Sequence, residues 1–122
     1  MLNLIAAVLL VLVGLFHSLI GGRRLIAPIV ARSDLPVILG DIAMSRITLR
    51  AGWHMLTLFW FALAVILVAQ VVSAISFDRL VMGVFGVSFL IAALIALVLS
   101  RGKHLSWVLF IPIGGILLAG AF

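Results

Sequence analysis

Few residues in this chain can do chemistry: three histidines (His17, His54 and His104), no cysteine, and three acidic side chains (Asp34, Asp41 and Asp78). Without cysteine there is no disulfide framework, thiolate zinc site, iron–sulfur cluster, covalently attached haem or dithiol couple, so a redox role would need a bound cofactor. No nucleophile elbow, HExxH helix, paired carboxylates or phosphate-binding glycine loop occurs, which removes the common hydrolases. What remains is imidazole and guanidinium. Arg46, Arg50 and His54 recur at i, i+4 and i+8 and share one ridge of a helix, with Trp53 and Thr57 beside it. Neutral imidazoles of His17 and His54 on facing helices would suit the iron of a non-covalent b-type haem, with Arg24, Arg46 or Arg50 pairing its propionates. A quinone headgroup could instead accept hydrogen bonds from either ring. Zinc is less suited, because no carboxylate or thiolate accompanies the histidines.

The elements that must position these groups are set by composition. At 67% hydrophobic and 9% charged residues, the chain is far more apolar than a soluble domain, where charged residues run near a quarter. A bilayer core of about 30 Å needs roughly 20 apolar helical residues per crossing. Four stretches free of Asp, Glu, Lys and Arg meet or approach that length: Leu2 to Ile20, Ala51 to Val72, Leu80 to Leu99, and Leu105 to Phe122, which Pro112 interrupts. No alternating strand pattern appears, so each is read as a helix. The expected fold is all-α, one four-transmembrane-helix bundle with helices over about 2–20, 42–72, 80–99 and 105–121. The first stretch lacks a basic leading region and a small-x-small site, so it reads as a permanent helix, not a cleaved signal.

Loop charge sets the expected direction. The segment from Gly21 to Arg50 carries Arg23, Arg24, Arg32, Arg46 and Arg50, and Ser100 to His104 carries Arg101 and Lys103, whereas the middle connection has only Arg79 beside Asp78. By the positive-inside rule the basic loops face the cytoplasm and both termini lie outside, in a bacterial inner membrane. The net charge of +5 then reflects topology and anionic lipid headgroups, not nucleic acid. Gly21-Gly22 reads as the end of the first helix. Leu25, Ile26, Ile29 and Val30, flanked by arginines, suit a short amphipathic segment in the headgroup layer. Asp41 after Gly40 suits an N-cap. In this arrangement all three histidines fall in one shallow cytoplasmic slab. Trp53 and Trp107 sit where aromatic belts form. Small-residue ridges, Gly14/Ser18/Gly22 on the first helix and Gly115/Ala119 on the fourth, mark packing faces.

The run His17-Ser18-Leu19-Ile20-Gly21-Gly22-Arg23-Arg24, followed by Pro28 and by Trp53-His54, resembles uncharacterised small bacterial four-helix integral membrane proteins. The resemblance covers the first two helices and implies the fold but no activity. An acidic residue is common in that family where Gly22 stands. Three functional readings stand beside the plain one, in which the histidines are packing residues and the arginines contact headgroups. They are a haem or quinone site, an anion channel or transporter formed by a homo-oligomer, and an accessory subunit of a larger membrane complex. Drug–proton exchange has no support, since every carboxylate lies in a loop.

Overall fold

The computed structural model describes all residues, Met1–Phe122, and is entirely helical apart from short connections. We number its helices α1 (Leu2–Ala31), α2 (Ile42–Val72), α3 (Phe77–Ser100) and α4 (Ser106–Ala121). The first three are long and apolar enough to cross a membrane, while α4, with 16 residues, is shorter. The chain is a membrane protein. Its largest apolar side chains are mostly exposed along the helix flanks, as lipid-facing surfaces require.

Two expectations change here. The first helix does not stop at Gly21-Gly22. It widens into a π-helix from Phe16 to Ile26, in which Ala27 N–H reaches back five residues to the Gly22 carbonyl, and α geometry then resumes to Ala31. The separate interfacial segment expected after residue 20 is therefore the continuation of α1. The resumption at Ala27 explains how the helix passes Pro28: the proline falls in the first turn of the resumed segment, where a missing N–H and a fixed φ do little harm.

The second change concerns closure. The helices form an open row, α1 against α2, α2 against α3 and α3 against α4. No Cα of α1 comes within 8 Å of α3 or α4, and none of α2 comes that close to α4. The accessible surface is 7754 Å², against about 6,400 Å² for a compact fold of this mass.

Local chemistry sets the connections. Leu39 and Gly40 both take positive φ (50° and 81°) and Asp41 N–H bonds the Ile38 carbonyl, a two-residue reversal of type I′. Asp41 Oδ1 then accepts from Ala43 N at 2.8 Å and caps α2. Ser45 Oγ donates to the Pro36 carbonyl and ties the loop to the first turn of α2. At the end of α3, Arg101 and Gly102 adopt positive φ and Gly102 N–H bonds the Leu97 carbonyl at 2.9 Å, a Schellman closure. Trp107 Nε1 donates to the Gly102 carbonyl and fastens α4 to this turn.

The α3–α4 pair packs backbone to backbone. A Cβ added at Gly114 would lie 2.9 Å from Gly86 O and 2.8 Å from Leu90, whereas one at Gly115 meets nothing within 4 Å. The glycines of α4 that pack against α3 are thus Gly114 and Gly120, whose added Cβ would lie 2.8 Å from Met82 Sδ, and not Gly115. We expect Gly114→Ala to lower stability in detergent by about 1–3 kcal/mol, the usual range for overpacking, and Gly115→Ala to leave it unchanged or slightly raised; paired thermal unfolding measures the difference.

In the loop, Arg32 and Asp34 form an exposed two-bond ion pair. The Arg32 guanidinium holds the Asp34 carboxyl below its ordinary value. A depressed carboxyl pKa stabilises the folded loop above the ordinary value, and that contribution disappears as pH falls through the depressed one. Carboxyl NMR titration should place the Asp34 midpoint below the normal range, and Arg32→Gln should return it there.

Candidate functional site

Where α1 crosses α2, glycines on one helix receive rings from the other. A Cβ at Gly14 would stand 2.5 Å from Phe61 Cε1, one at Gly21 2.7 Å from Trp53 Cζ2, and one at Gly22 3.5 Å from His54 Cε1. Such absences of a side chain let two helices approach closely enough for polar side chains to bond across the seam. Asn3 Nδ2 donates to Gln70 Oε1 near the opposite ends of the two helices, fourteen residues and about 20 Å along α1 from His17.

The His17 ring lies flat on the Trp53 indole, with centroids 3.9 Å apart and planes 10° from parallel, and Trp60 meets it edge-on at 5.1 Å. His17 Nε2 is 3.2 Å from the Trp53 carbonyl, and Trp53 Nε1 donates to the His17 carbonyl at 3.1 Å. A carbonyl only accepts, so Nε2 carries the proton. That nitrogen therefore has no lone pair to offer a metal.

His54 is held differently. Its Nδ1 lies 2.6 Å from Ser18 Oγ, which lies 3.2 Å from Thr57 Oγ1. Thr57 is buried, whereas His54 is exposed. The ring's other nitrogen, Nε2, faces Gly22 and has no hydrogen-bond partner. Ser18 has one proton to give. If it goes to Nδ1, Nε2 carries hydrogen and donates. If it goes to Thr57, Nδ1 carries the hydrogen and Nε2 accepts. The hydroxyl pair thus fixes the ring's orientation while leaving the role of Nε2 open.

The remaining expected site residues disperse. His104 sits at the start of α4, its Nδ1 2.9 Å from Ser106 Oγ and its backbone N bonded to Ser100 Oγ. It lines a cavity of about 130 Å³ with Thr48, Gly52 and Phe110 between α2, α3 and α4. The three imidazoles therefore do not share a pocket: α2 separates His104 from the other two. Arg46 turns to the end of α1, its Nη2 3.2 Å from the Arg32 carbonyl and its Nε buried without a partner, a placement suited to the negative end of that helix. Arg24 and Arg50 are exposed and form no ion pair. No group of three or more His, Asp or Glu side chains could hold a metal ion.

These contacts constrain how a haem could be held. A carbonyl takes the His17 Nε2 proton, so His17 could not offer that nitrogen to iron. Ser18 and Thr57 carry more of the site than sequence reasoning assigned them. The signal was present, since Ser18 adjoins His17 and Thr57 lies three residues after His54 on the same helix.

Comparison with protein-family models, with curated proteins and with solved structures gave no match. The likeness to small four-helix membrane proteins rests on the His-Ser-x-x-Gly-x-Arg-Arg and Trp-His segments alone.

If the glycine seam sets the ring stack, Gly21→Ala should displace Trp53 and expose its indole N–H. The Trp53 Nε1–H signal should exchange with solvent markedly faster in Gly21→Ala, while Gly22→Ala, whose added Cβ makes only ordinary contact, should leave the rate close to wild type.

Proposed function

We propose that this protein binds a quinone-type headgroup at His54, at the arginine-rich end of the α1–α2 pair. The observation that carries the reading is an exposed ring at the arginine-rich end of the seam, His54, whose Nδ1 is held by Ser18 at 2.6 Å and whose Nε2 has no hydrogen-bond partner. A ligand carbonyl can accept from Nε2–H, and a ligand hydroxyl can donate to bare Nε2, so the same site suits the oxidised and reduced forms of a quinone. Exposed Arg50, one turn before His54, and Arg23 and Arg24, directly after Gly22, give a field that favours the electron-rich oxygens of such a headgroup. A π-helical stretch opposite the ring also supports the reading, since wide turns of this type recur at functional sites.

In this proposal all four helices cross a bacterial inner membrane, with the basic loops cytoplasmic and both termini outside, as the arginine distribution favours. The outer faces of α1 and α4, at the ends of the row, are then free to meet a second copy or a larger membrane complex. An anion pathway would require several copies, because a single open row does not close around a channel.

Binding of a short-chain benzoquinone or naphthoquinone to the purified full chain, followed by tryptophan quenching, tests the assignment. His54→Ala should weaken binding about tenfold, the equivalent of about 1.4 kcal/mol. Ser18→Ala should weaken it less, and His104→Ala should not change it. Equal affinity in wild type and His54→Ala would refute the site, and no binding to wild type at millimolar quinone would refute the ligand class.

A further inference from the structure

A second feature lies at the opposite ends of the helices from the arginine-rich loops. Helices α2, α3 and α4 enclose a cleft of about 510 Å³, floored by Phe61, Val65, Val84 and Leu118, with Arg79 the one charged side chain in its lining. The Arg79 guanidinium makes no hydrogen bond and no ion pair, and no oxygen of neighbouring Asp78 comes within 4 Å of it. Ser88, also in the lining, gives its hydroxyl proton to the Val84 carbonyl at 2.8 Å. Arg79 is therefore the only side chain of the lining with a free hydrogen-bond donor. From Arg79 to Ser88 the cleft follows α3 for about 14 Å.

The occupant that matches an apolar trough with a lone cation near its end is an amphiphile, hydrocarbon below and anion above. The guanidinium favours phosphate, which it can grip through two parallel N–H···O bonds. A zwitterionic headgroup brings its own cation and gains less from an unpaired arginine. A neighbouring trough between α1 and α2, about 580 Å³, shares Phe61 and Val65 but is lined only by hydrophobic residues. It can hold a chain but has no means of choosing a headgroup.

We propose that the α2–α3–α4 cleft binds one acyl chain of an anionic phospholipid, with Arg79 holding the phosphate, on the membrane face opposite His54. The proposal is independent of the quinone reading.

The full chain in phosphatidylcholine bilayers, doped with spin-labelled phosphatidylglycerol or spin-labelled phosphatidylcholine, provides the test. The motionally restricted fraction should favour phosphatidylglycerol severalfold in wild type. Arg79→Gln should remove that preference while a restricted chain remains. Val87→Trp should reduce the restricted fraction of both lipids, because Val87 lines the cleft yet is 48% exposed, so a larger side chain enters the trough without displacing packed neighbours. Val8→Trp, in the apolar trough, and Arg101→Gln, at the other end of α3, should leave the preference intact. Short-chain phosphatidylglycerol should compete and glycerol phosphate should not. Absence of a preference in wild type, its survival in Arg79→Gln, or its loss in Arg101→Gln would each overturn the proposal, with retained helical circular dichroism showing that the variants are folded.

Discussion

The close approach of α1 to α2 is the constraint on which the polar site depends. A side chain at Gly14 or Gly21 would collide with Phe61 or Trp53, and neither ring can give way without disturbing the seam. Two adjacent glycines inside a helix cost about 1 kcal/mol each relative to alanine. That cost is offset only if the space they leave is filled, and here the aromatic faces of α2 fill it. Once the backbones are this near, His17 and Trp53 can each bond the other's carbonyl, and Ser18 can reach both His54 and Thr57. In apolar surroundings a polar group left unpaired costs several times what a paired one gains. The network therefore also fixes the register of the two helices, since a shift by one residue would break most of these bonds together.

The π segment belongs to the same constraint. In an α-helix, residue 22 is rotated well away from residue 17. Bonding to the fifth residue instead of the fourth brings Gly22 round toward the face that carries His17 and Ser18. Gly21 and Gly22 can then both stand opposite α2, one under Trp53 and the other beside His54. On the far flank of α2 the packing has another character. Phe59, Phe85, Phe89 and Phe110 meet in stacked and edge-on pairs that run from α2 through α3 to α4. α2 is thus polar and close-packed on one side and aromatic on the other.

Sequence showed the apolar spans and the cap at Asp41 clearly, because both follow from local rules: uncharged runs of membrane length, and a carboxylate placed to accept the first free N–H of a helix. Azimuth was not legible in the same way. Depth along a helix follows from counting residues, but the direction in which a ring points depends on which helices touch, and nothing local in the chain says that α1 meets only α2. Hence His17 and His54 meet at one seam while His104 belongs to another. Gly21-Gly22 misled for a related reason. Two glycines before arginines have the composition of a helix stop, and only the rings supplied by α2 make continuation the better outcome. The one-turn spacing of Gly115 to Ala119 is visible in sequence, whereas the Gly86–Gly114 crossing is made with a different helix.

The open row has a functional corollary. A closed bundle buries its central side chains and leaves ligands to enter from one end, but a row covers α2 only along the two flanks that meet α1 and α3 and leaves the faces between them uncovered. In the proposed function, a hydrophobic ligand dissolved in lipid would reach His54 sideways, between helices. Arrival by that route suits an exposed imidazole anchored on one nitrogen: the ring is oriented in advance by Ser18, so little conformational freedom is lost when a ligand oxygen meets Nε2. His17 differs in that its ring face and Nε2 are committed to Trp53. Both histidines bond across the seam, His17 to the Trp53 carbonyl and His54 to Ser18.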